Sequence, residues 1–392
     1  MKPDSAIIRD RTAIVGVGTT EYARDIGRSE LKTALEAIRM ALDEAGLGAR
    51  DVDAIFKIET PGEDPNSELE IARNLGAGAL RCWGGFGYGG GGACAPVVHA
   101  AMAVATGMAS VAVAVRARNR GSGGRPWART GSRVTGLAAF EAPYGLVSPV
   151  QQIALMARRY MHQYGATAED FARVAVVQRS HAARNPRAFF REPITVDDVL
   201  NSRLIAEPLH LLDCSLETDG ACAVVVTGAE RARDLRQLPV LISGVSQGMP
   251  PRHYMMNGLL YQDDPFDMPS KYAARDVYRS VGMGPEEIDV ALLYDVFSPM
   301  VLWQLESYGF CQPGEAAGFV RDGRIAWPDG ELPVNTHGGS LSEAYVHGFN
   351  HILEGVRQVR GTSTCQVEGA RVALVAAAAV VPSSALILRS AA

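Results

Sequence analysis

Features that would place the chain among membrane or exported proteins are missing from its sequence. None of the 392 residues lies in an uninterrupted apolar stretch of the roughly 18 residues that a membrane-spanning helix needs. The most apolar segment, 372–388, is rich in Ala and interrupted by Pro382, Ser383 and Ser384, so we interpret it as two buried strands and a turn. The charged start of the chain also lacks the apolar core of a secretory signal. We expect no membrane partner and a cytoplasmic location.

A basic excess is missing as well. The 38 Lys and Arg residues are outnumbered by 43 Asp and Glu residues, which gives a formal net charge of −5, and no basic tail or basic helix stands out. Binding to a polyanion needs such a surface. We therefore expect no nucleic acid partner.

Metal-binding patterns are absent too. The six cysteines include no C-x-x-C pair, and no His stands at zinc-finger spacing. His347 and His351 have the i, i+4 spacing of two helical metal ligands, but the Glu of an H-E-x-x-H motif does not accompany them. We expect no metal site in this chain, and reduced thiols that are mostly buried. The cysteines are Cys82, Cys94, Cys214, Cys222, Cys311 and Cys365.

What the sequence does contain is an alternation of buried strands and helices. Apolar runs typical of strands occur at 13–17, 54–58 and 110–115, and helical patterns occur at about 29–45 and 95–106. This order predicts an α/β fold in which helices cover both faces of a largely buried sheet.

An internal sequence repeat indicates that the chain contains two copies of one α/β half. The segments that begin at Ala41 and at Val277 align without gaps at an offset of 236 residues, and two Gly positions and one Asp position coincide. Each predicts a helix that ends at a Gly, a short connection and a buried strand. We expect a first half at 1–240 and a second half at 241–392.

The first half contains an insertion at about 117–213. It starts with the loop RARNRGSGGRPWARTGSR and continues with helical patterns at 151–164 and 168–185. An insertion of this size is a reasonable place for a substrate lid.

Three groups of residues have the character of a ligand site. Residues 87–107 open with four consecutive glycines, Gly89 to Gly92, whose backbone could approach a ligand closely, although a tight helix–strand turn would use the same residues. A P-loop is excluded because no Gly-Lys-Ser/Thr follows. Tyr294 and Asp295 end an apolar strand, where open α/β sheets bind ligands. A second glycine turn gathers polar side chains and glycines, namely Asn335, His337, Gly338, Gly339, Tyr345 and His347.

These segments, taken in order, resemble the thiolase superfamily, in particular its sterol-carrier-protein-x or lipid-transfer-protein branch. DCSLETDGACAVVVTGAERA, at 213–232, is similar to that branch's D-C-S/P-x-x-D-G-A-A-A-V-V segment, and NTHGGSLSEAYVHG, at 335–348, resembles the thiolase N-P-x-G-G-x-x-x-x-G-H-P-x-G. The resemblance covers essentially the whole chain. It implies a thiolase fold of two duplicated halves in an αβαβα layering, and a coenzyme A thioester as substrate.

Departures from the thiolase pattern define the expected chemistry. By this resemblance Tyr294 replaces one catalytic histidine, Tyr345 replaces the other, and the nucleophilic cysteine falls at Gly90. A thiolase needs a cysteine thiolate and a histidine to activate it. Thiolysis through an acyl-enzyme is therefore disfavoured, with Cys94, one helical turn further on, as the remaining thiol candidate.

The pattern is closest to the thiolase-like aldolases that remove side chains from steroid acyl-CoA thioesters. That resemblance implies retro-aldol cleavage of a 3-hydroxyacyl-CoA, first a 17-hydroxy steroid that carries a C20-carboxyl-CoA side chain, to a 17-keto steroid and propionyl-CoA. Tyr294 and Tyr345 are then acid and base in an unassigned order, with Asp295 and His347 as catalytic neighbours. The expected oxyanion or coenzyme A contacts are Gly90, Gly91, Gly92, Asn335, His337, Gly338 and Gly339.

Two other functions stay open from the sequence. One is a Cys-dependent thiolase or acyltransferase that uses Cys94 or Cys365, and the other is a non-catalytic acyl-CoA or sterol carrier. The resemblance also implies a homodimer that joins a small zinc-ribbon and OB-fold partner in a heterotetramer. We expect no cofactor in this chain, since coenzyme A arrives as part of the substrate and any zinc belongs to the partner.

Overall fold

The computed structural model describes residues 7–59, 66–123, 136, 138–253 and 256–391. Within these ranges no helix combines the length and the apolar character that crossing a membrane requires. The strands are β1 Thr12–Thr19, β2 Ala54–Ile58, β3 Cys82–Phe86, β4 Val111–Asn119, β5 Leu204–Ala206, β6 Leu209–His210, β7 Asp219–Gly228, β8 Val240–Gly248, β9 Val290–Leu293, β10 Val372–Ala376 and β11 Ser383–Ser390. The helices are α1 Glu30–Ala45, α2 Glu68–Leu75, α3 Ala95–Ala105, α4 Arg120–Gly123, α5 Ala138–Glu141, α6 Pro149–Tyr164, α7 Ala168–Ala182, α8 Val196–Asn201, α9 Ala229–Ala232, α10 Pro269–Val281, α11 Pro299–Ser307, α12 Ala316–Arg321, α13 Gly339–Ser342 and α14 Phe349–Arg360.

Nine strands form one mixed sheet in the order β3-β2-β4-β7-β1-β8-β11-β10-β9. β1 and β8 meet at its centre through two residue pairs, Ala13 with Leu241 and Ile14 with Val240. On one side β7 runs antiparallel between β1 and β4, and on the other β11 runs antiparallel between β8 and β10. The two sides of the sheet therefore repeat one topology, and the predicted α/β fold class is confirmed.

The internal sequence repeat corresponds to a repeated structural unit. α1 ends at Gly46, which has a φ of 74°, and a short 3-10 turn leads into β2. α10 ends at Gly282, with a φ of 67°, and a similar turn leads into β9. A left-handed residue is a common way to end a helix, and Gly adopts it without steric cost. The boundary between the halves at residue 240 stays a prediction.

Three layers of helices pack against the two halves of the sheet, the half from β3 to β1 and the half from β8 to β9. α3 and α14 lie together in the middle, where Val97 and Ile352 share one core with Phe56 of β2 and Leu386 of β11. α1 covers the outer face of the first side through a core that includes Ile38. α10 and α11 cover the second side within another core. This is the αβαβα layering that the resemblance implied.

The insertion differs from its prediction at its start. β4 was expected to end near residue 115, but it continues to Asn119 because its pairing with β7 continues, from Arg116 with Cys222 to Asn119 with Asp219. Arg116 and Arg118 are therefore buried strand residues and not part of a loop. The predicted loop at 124–133 lies outside the described residues. The helical patterns that follow form α6 and α7.

Candidate active site

A cavity of about 970 Å³ opens between the glycine loop after β3, the insertion, and the loops after β9 and α13. Its size is at the upper end of the range for small-molecule sites. Its walls are mostly apolar, with Leu211, Met300 and Val381 as examples. Among the predicted site residues, it is lined by Gly90, Tyr294, Tyr345 and His347.

Tyr294 and Tyr345 meet at the inner end of this cavity. Their hydroxyl oxygens are 3.2 Å apart, close enough for one hydroxyl to donate a hydrogen bond to the other. Both rings are buried, with 3% and 8% of their surface exposed. Tyr294 follows β9 and Tyr345 follows α13, so two separate segments supply the pair.

Gly90 makes room for this pair. A Cβ atom at position 90 would lie 2.0 Å from Cζ and 2.1 Å from Oη of Tyr294. Real non-bonded atoms do not approach so closely, so the Tyr294 ring occupies the space that any side chain at position 90 would need.

Burial raises the pKa of both tyrosines, but by different amounts. The pKa of Tyr294 lies well above its ordinary value, because of burial, the neighbouring Tyr345 hydroxyl and the Asp295 carboxylate. Burial also raises the pKa of Tyr345, while the hydrogen bond with Tyr294 and the charges of Arg120 and Arg116 oppose the rise. The charges of Arg116 and Arg120 thus favour the ionised form of Tyr345, whereas the Asp295 carboxylate disfavours ionisation of Tyr294.

His347 lies beside Tyr345 and is held by a buried arginine. The two rings pack edge to face with centroids 5.0 Å apart. Nη2 of Arg116 lies 2.8 Å from Nδ1 of His347, and Nη1 of Arg116 donates to the carbonyl oxygen of Ile58. Burial, followed by the charges of Arg116, Arg120 and Arg118, lowers the pKa of His347 well below its ordinary value. His347 is therefore neutral at physiological pH.

Asp295 lies behind Tyr294 and faces away from the cavity. Its carboxylate accepts hydrogen bonds from the backbone N–H groups of Ser340 and Leu341, and Nε2 of His351 is 3.1 Å from it. Position 339 must be Gly, because a Cβ there would lie 2.1 Å from the carboxylate. Asp295 thus fixes the first turn of α13, which leads to Tyr345.

The other predicted contacts are also close to the site but outside the described lining of the cavity. Asn335 bridges the backbone of Leu293, accepting from its N–H and donating to its carbonyl oxygen. His337 is fully buried beside His351, and Gly338 and Gly339 form the turn behind Asp295. Gly91 and Gly92 are buried behind Gly90. His347 and His351 bind different partners and do not converge on a common metal position.

The two candidate thiols, Cys94 and Cys365, are buried away from the cavity. Burial raises the pKa of Cys94 far above its ordinary value and that of Cys365 to about 12. The thiol that lines the cavity is Cys214, which is partly exposed and donates to the carbonyl oxygen of His210.

Several lining residues were not identified from the sequence. Arg120 and Glu217 face the tyrosines, and their side chains lie 3.9 Å apart. Arg179 packs over the ring of Phe190, and Arg203 is exposed at the rim. One signal was present in the sequence: Arg116 and Arg118 alternate along the mostly apolar strand β4, so they share one face, and Arg120 follows just after the end of the strand.

The chain resembles proteins of known activity over nearly its full length. Residues 253–388 match the family model described as thiolase C-terminal domain-like. The chain is 49% identical over 391 residues to the 17-hydroxy-3-oxo-4-pregnene-20-carboxyl-CoA lyase of Mycobacterium tuberculosis, covering 97% of this chain and 100% of that one. It is 48% identical over 391 residues to the steroid side-chain-cleaving aldolase of Thermomonospora curvata, covering 98% and 99%. A solved Ltp2-ChsH2(DUF35) aldolase has a TM-score of 0.91 at 47% identity and covers 98% of this chain and 99% of that one.

Proposed function

Because the chain belongs to the thiolase-like steroid side-chain-cleaving aldolases, we propose that it cleaves a 3-hydroxyacyl-CoA by a retro-aldol reaction. The proposed substrate is a 17-hydroxy steroid with a C20-carboxyl-CoA side chain, and the products are a 17-keto steroid and propionyl-CoA. The names of both relatives support this substrate class.

The observation that carries the proposal is the position of Tyr294 in the space beside Gly90. A thiolase would need a cysteine side chain there, but the Tyr294 hydroxyl fills that space and pairs with Tyr345 at 3.2 Å. A covalent acyl-enzyme therefore has no nucleophile at this position, whereas two adjacent hydroxyls suit proton transfer.

The ionisation of the pair supports a division of roles. The positive charges of Arg116 and Arg120 favour the phenolate of Tyr345, which suits the base that accepts the proton of the substrate's β-hydroxyl. Burial and the neighbouring Asp295 carboxylate favour the protonated form of Tyr294, which suits the acid. As the β-oxygen becomes a carbonyl, the Cα–Cβ bond breaks and its electron pair enters the thioester enolate. The proton from Tyr294 then adds to Cα and completes propionyl-CoA.

The cavity suits a substrate with one apolar part and one anionic part. Its apolar walls match a steroid nucleus, and among its described lining residues Arg120, Arg179 and Arg203 outnumber the acid Glu217. Arg203, at the rim, is suited to the phosphates of coenzyme A.

We propose the same assembly as the sequence resemblance implied. The solved Ltp2-ChsH2(DUF35) aldolase supports a DUF35 partner, for which we retain the zinc-ribbon and OB-fold parts, and a heterotetramer built on a homodimer. β3 supports the homodimer, since this strand at the sheet edge exposes 59% of Trp83 and leaves backbone groups for pairing. The absence of a cofactor in this chain, zinc in the partner and the cytoplasmic location stay predictions.

The test is cleavage of the 17-hydroxy steroid C20-carboxyl-CoA by the full chain, alone and with a DUF35 partner, followed by the release of propionyl-CoA. Tyr294→Phe and Tyr345→Phe should each lower kcat by about 10²- to 10⁴-fold, the usual contribution of a general acid or base. Tyr278→Phe is the control, because it removes a hydroxyl that bonds the carbonyl oxygen of Tyr308 away from the cavity. Unchanged rates in both test variants, or acyl transfer that depends on a cysteine, would disprove the proposal.

A further inference from the structure

Retro-aldol cleavage places negative charge on the thioester oxygen, and this charge needs a hydrogen-bond donor. Two backbone N–H groups near Gly90 are already engaged within the protein. The N–H of Gly91 donates to the carbonyl oxygen of Tyr88 at 3.1 Å, and the N–H of Ala378 donates to the carbonyl oxygen of Gly90 at 3.0 Å. These two groups are therefore not available to the substrate, and a side chain with an unengaged N–H group that faces the cavity is a candidate for this donor.

The bond between Arg116 and His347 determines which imidazole nitrogen carries the proton. A guanidinium group can only donate hydrogen bonds. Since Arg116 donates to Nδ1 of His347 at 2.8 Å, Nδ1 must accept, and the single proton of the neutral ring is on Nε2. Among the described residues Nε2 has no hydrogen-bond partner, and the His347 side chain lines the cavity. The ring thus offers an N–H group to a ligand.

The backbone of His347 indicates that this orientation is enforced. Its φ is 55°, in the left-handed region that a non-Gly residue adopts only when the surrounding structure enforces it. Arg116, which is 1% exposed and anchored to the carbonyl oxygen of Ile58, holds the ring from behind, and Tyr345 packs against its face.

We propose that His347, as the neutral Nε2–H tautomer fixed by Arg116, donates a hydrogen bond to the thioester oxygen of the substrate and to the enolate oxygen formed from it. This role rests on the proposed function. His347 is then a catalytic residue that does not exchange its proton, and Arg116 is a positioning residue that acts through it.

The first test measures binding, so it does not depend on turnover. The probes are a steroid acyl-CoA without the β-hydroxyl, which cannot be cleaved, and the matching thioether with a methylene in place of the thioester carbonyl. Wild type should bind the thioester about 3- to 10-fold more tightly, as expected for one net hydrogen bond. His347→Leu should lose this preference but keep its affinity for the thioether, which also shows that the variant is folded. His347→Gln, which retains a donor, should keep part of the preference.

The second test observes the tautomer directly. In protein labelled with ¹⁵N-histidine, the His347 signals, assigned by their loss in His347→Gln, should show a protonated Nε2 and an unprotonated Nδ1 in wild type. Arg116→Met should lose this tautomer preference and lower kcat more than it raises KM. A protonated Nδ1 in wild type would overturn the proposal.

The outcomes separate this inference from the proposed function. If wild type binds neither probe, the steroid acyl-CoA function is wrong and the donor role falls with it. If wild type binds both probes equally, or if His347→Leu keeps the thioester preference, the donor role alone is wrong.

Discussion

The ring of Tyr294 occupies the space that a side chain at Gly90 would need: a Cβ atom at position 90 would lie 2.0 Å from Cζ of that ring. The absence of a side chain at position 90 and the presence of a tyrosine at position 294 are therefore one structural change and not two. Restoring a nucleophile here requires the removal of the acid–base pair.

Gly90→Ala should lower kcat by at least about 10²-fold, because the new methyl group displaces the Tyr294 hydroxyl from Tyr345. Gly90→Cys should be equally impaired and should not gain thiolase activity. The control is Gly318→Ala in α12, where an added Cβ meets no atom within 4 Å. Wild-type cleavage by Gly90→Ala would show that the tyrosine does not need its observed position.

The rate of cleavage should rise with pH. Tyr345 has a raised pKa, so at neutral pH only a small fraction is the phenolate that can act as a base. This fraction increases about tenfold for each pH unit below the pKa, so log kcat/KM should climb from about pH 7 and should still be rising at about pH 10, the ordinary tyrosine value, because the pKa of Tyr345 lies above it. Initial rates, corrected for spontaneous thioester hydrolysis, provide the profile. Tyr345→Phe should have no such rise, and a flat wild-type profile would exclude a phenolate base.

Alkylation should inactivate the protein through Cys214 and not through a catalytic thiol. Cys214 is partly exposed and lines the cavity, whereas Cys94 and Cys365 are buried. Iodoacetamide should therefore block substrate binding in wild type, and bound substrate should protect against it. Cys214→Ala should keep turnover within about threefold and become resistant. Loss of turnover in Cys94→Ser, with a folded protein, would instead support a thiol mechanism.

Asp295→Ala should mainly reduce stability. It removes the acceptor of two buried N–H groups, those of Ser340 and Leu341, and each unsatisfied group costs about 1–3 kcal/mol. We expect a loss of about 3 kcal/mol or more in the free energy of unfolding by denaturant titration. The exposed Asp322→Ala should change it by less than about 0.5 kcal/mol. A variant as stable as wild type would show that the carboxylate does not hold this turn.

The sequence predicted the parts of the fold that depend on local patterns. Apolar runs located the strands, and the aligned glycines located the ends of α1 and α10, because a left-handed helix end favours Gly. The two tyrosines were also identified, from their positions in the thiolase pattern. The resemblance had matched their segments separately, and the structure brings the two hydroxyl oxygens within 3.2 Å of each other.

The cavity walls could not be predicted in the same way. Which side of a turn faces a ligand depends on packing between distant segments, so Asn335 and His337 lie behind the site while Arg120, Glu217 and Phe190 line it. The buried arginines of β4 were misread as loop residues because charge usually signals solvent. Their partners, such as His347, are far away in the sequence.

Hydrogen bonds join the segment of the glycine loop to the start of β11, far away in the chain: the N–H of Cys94 donates to the hydroxyl of Ser384, which is 290 residues further on. During synthesis from the N-terminus, the glycine loop leaves the ribosome long before this partner or either tyrosine. Helices and strands can therefore form early, while turnover begins only after the late segments have docked. Recovery of activity during refolding should thus lag behind recovery of helical signal, and the lag measures that docking step.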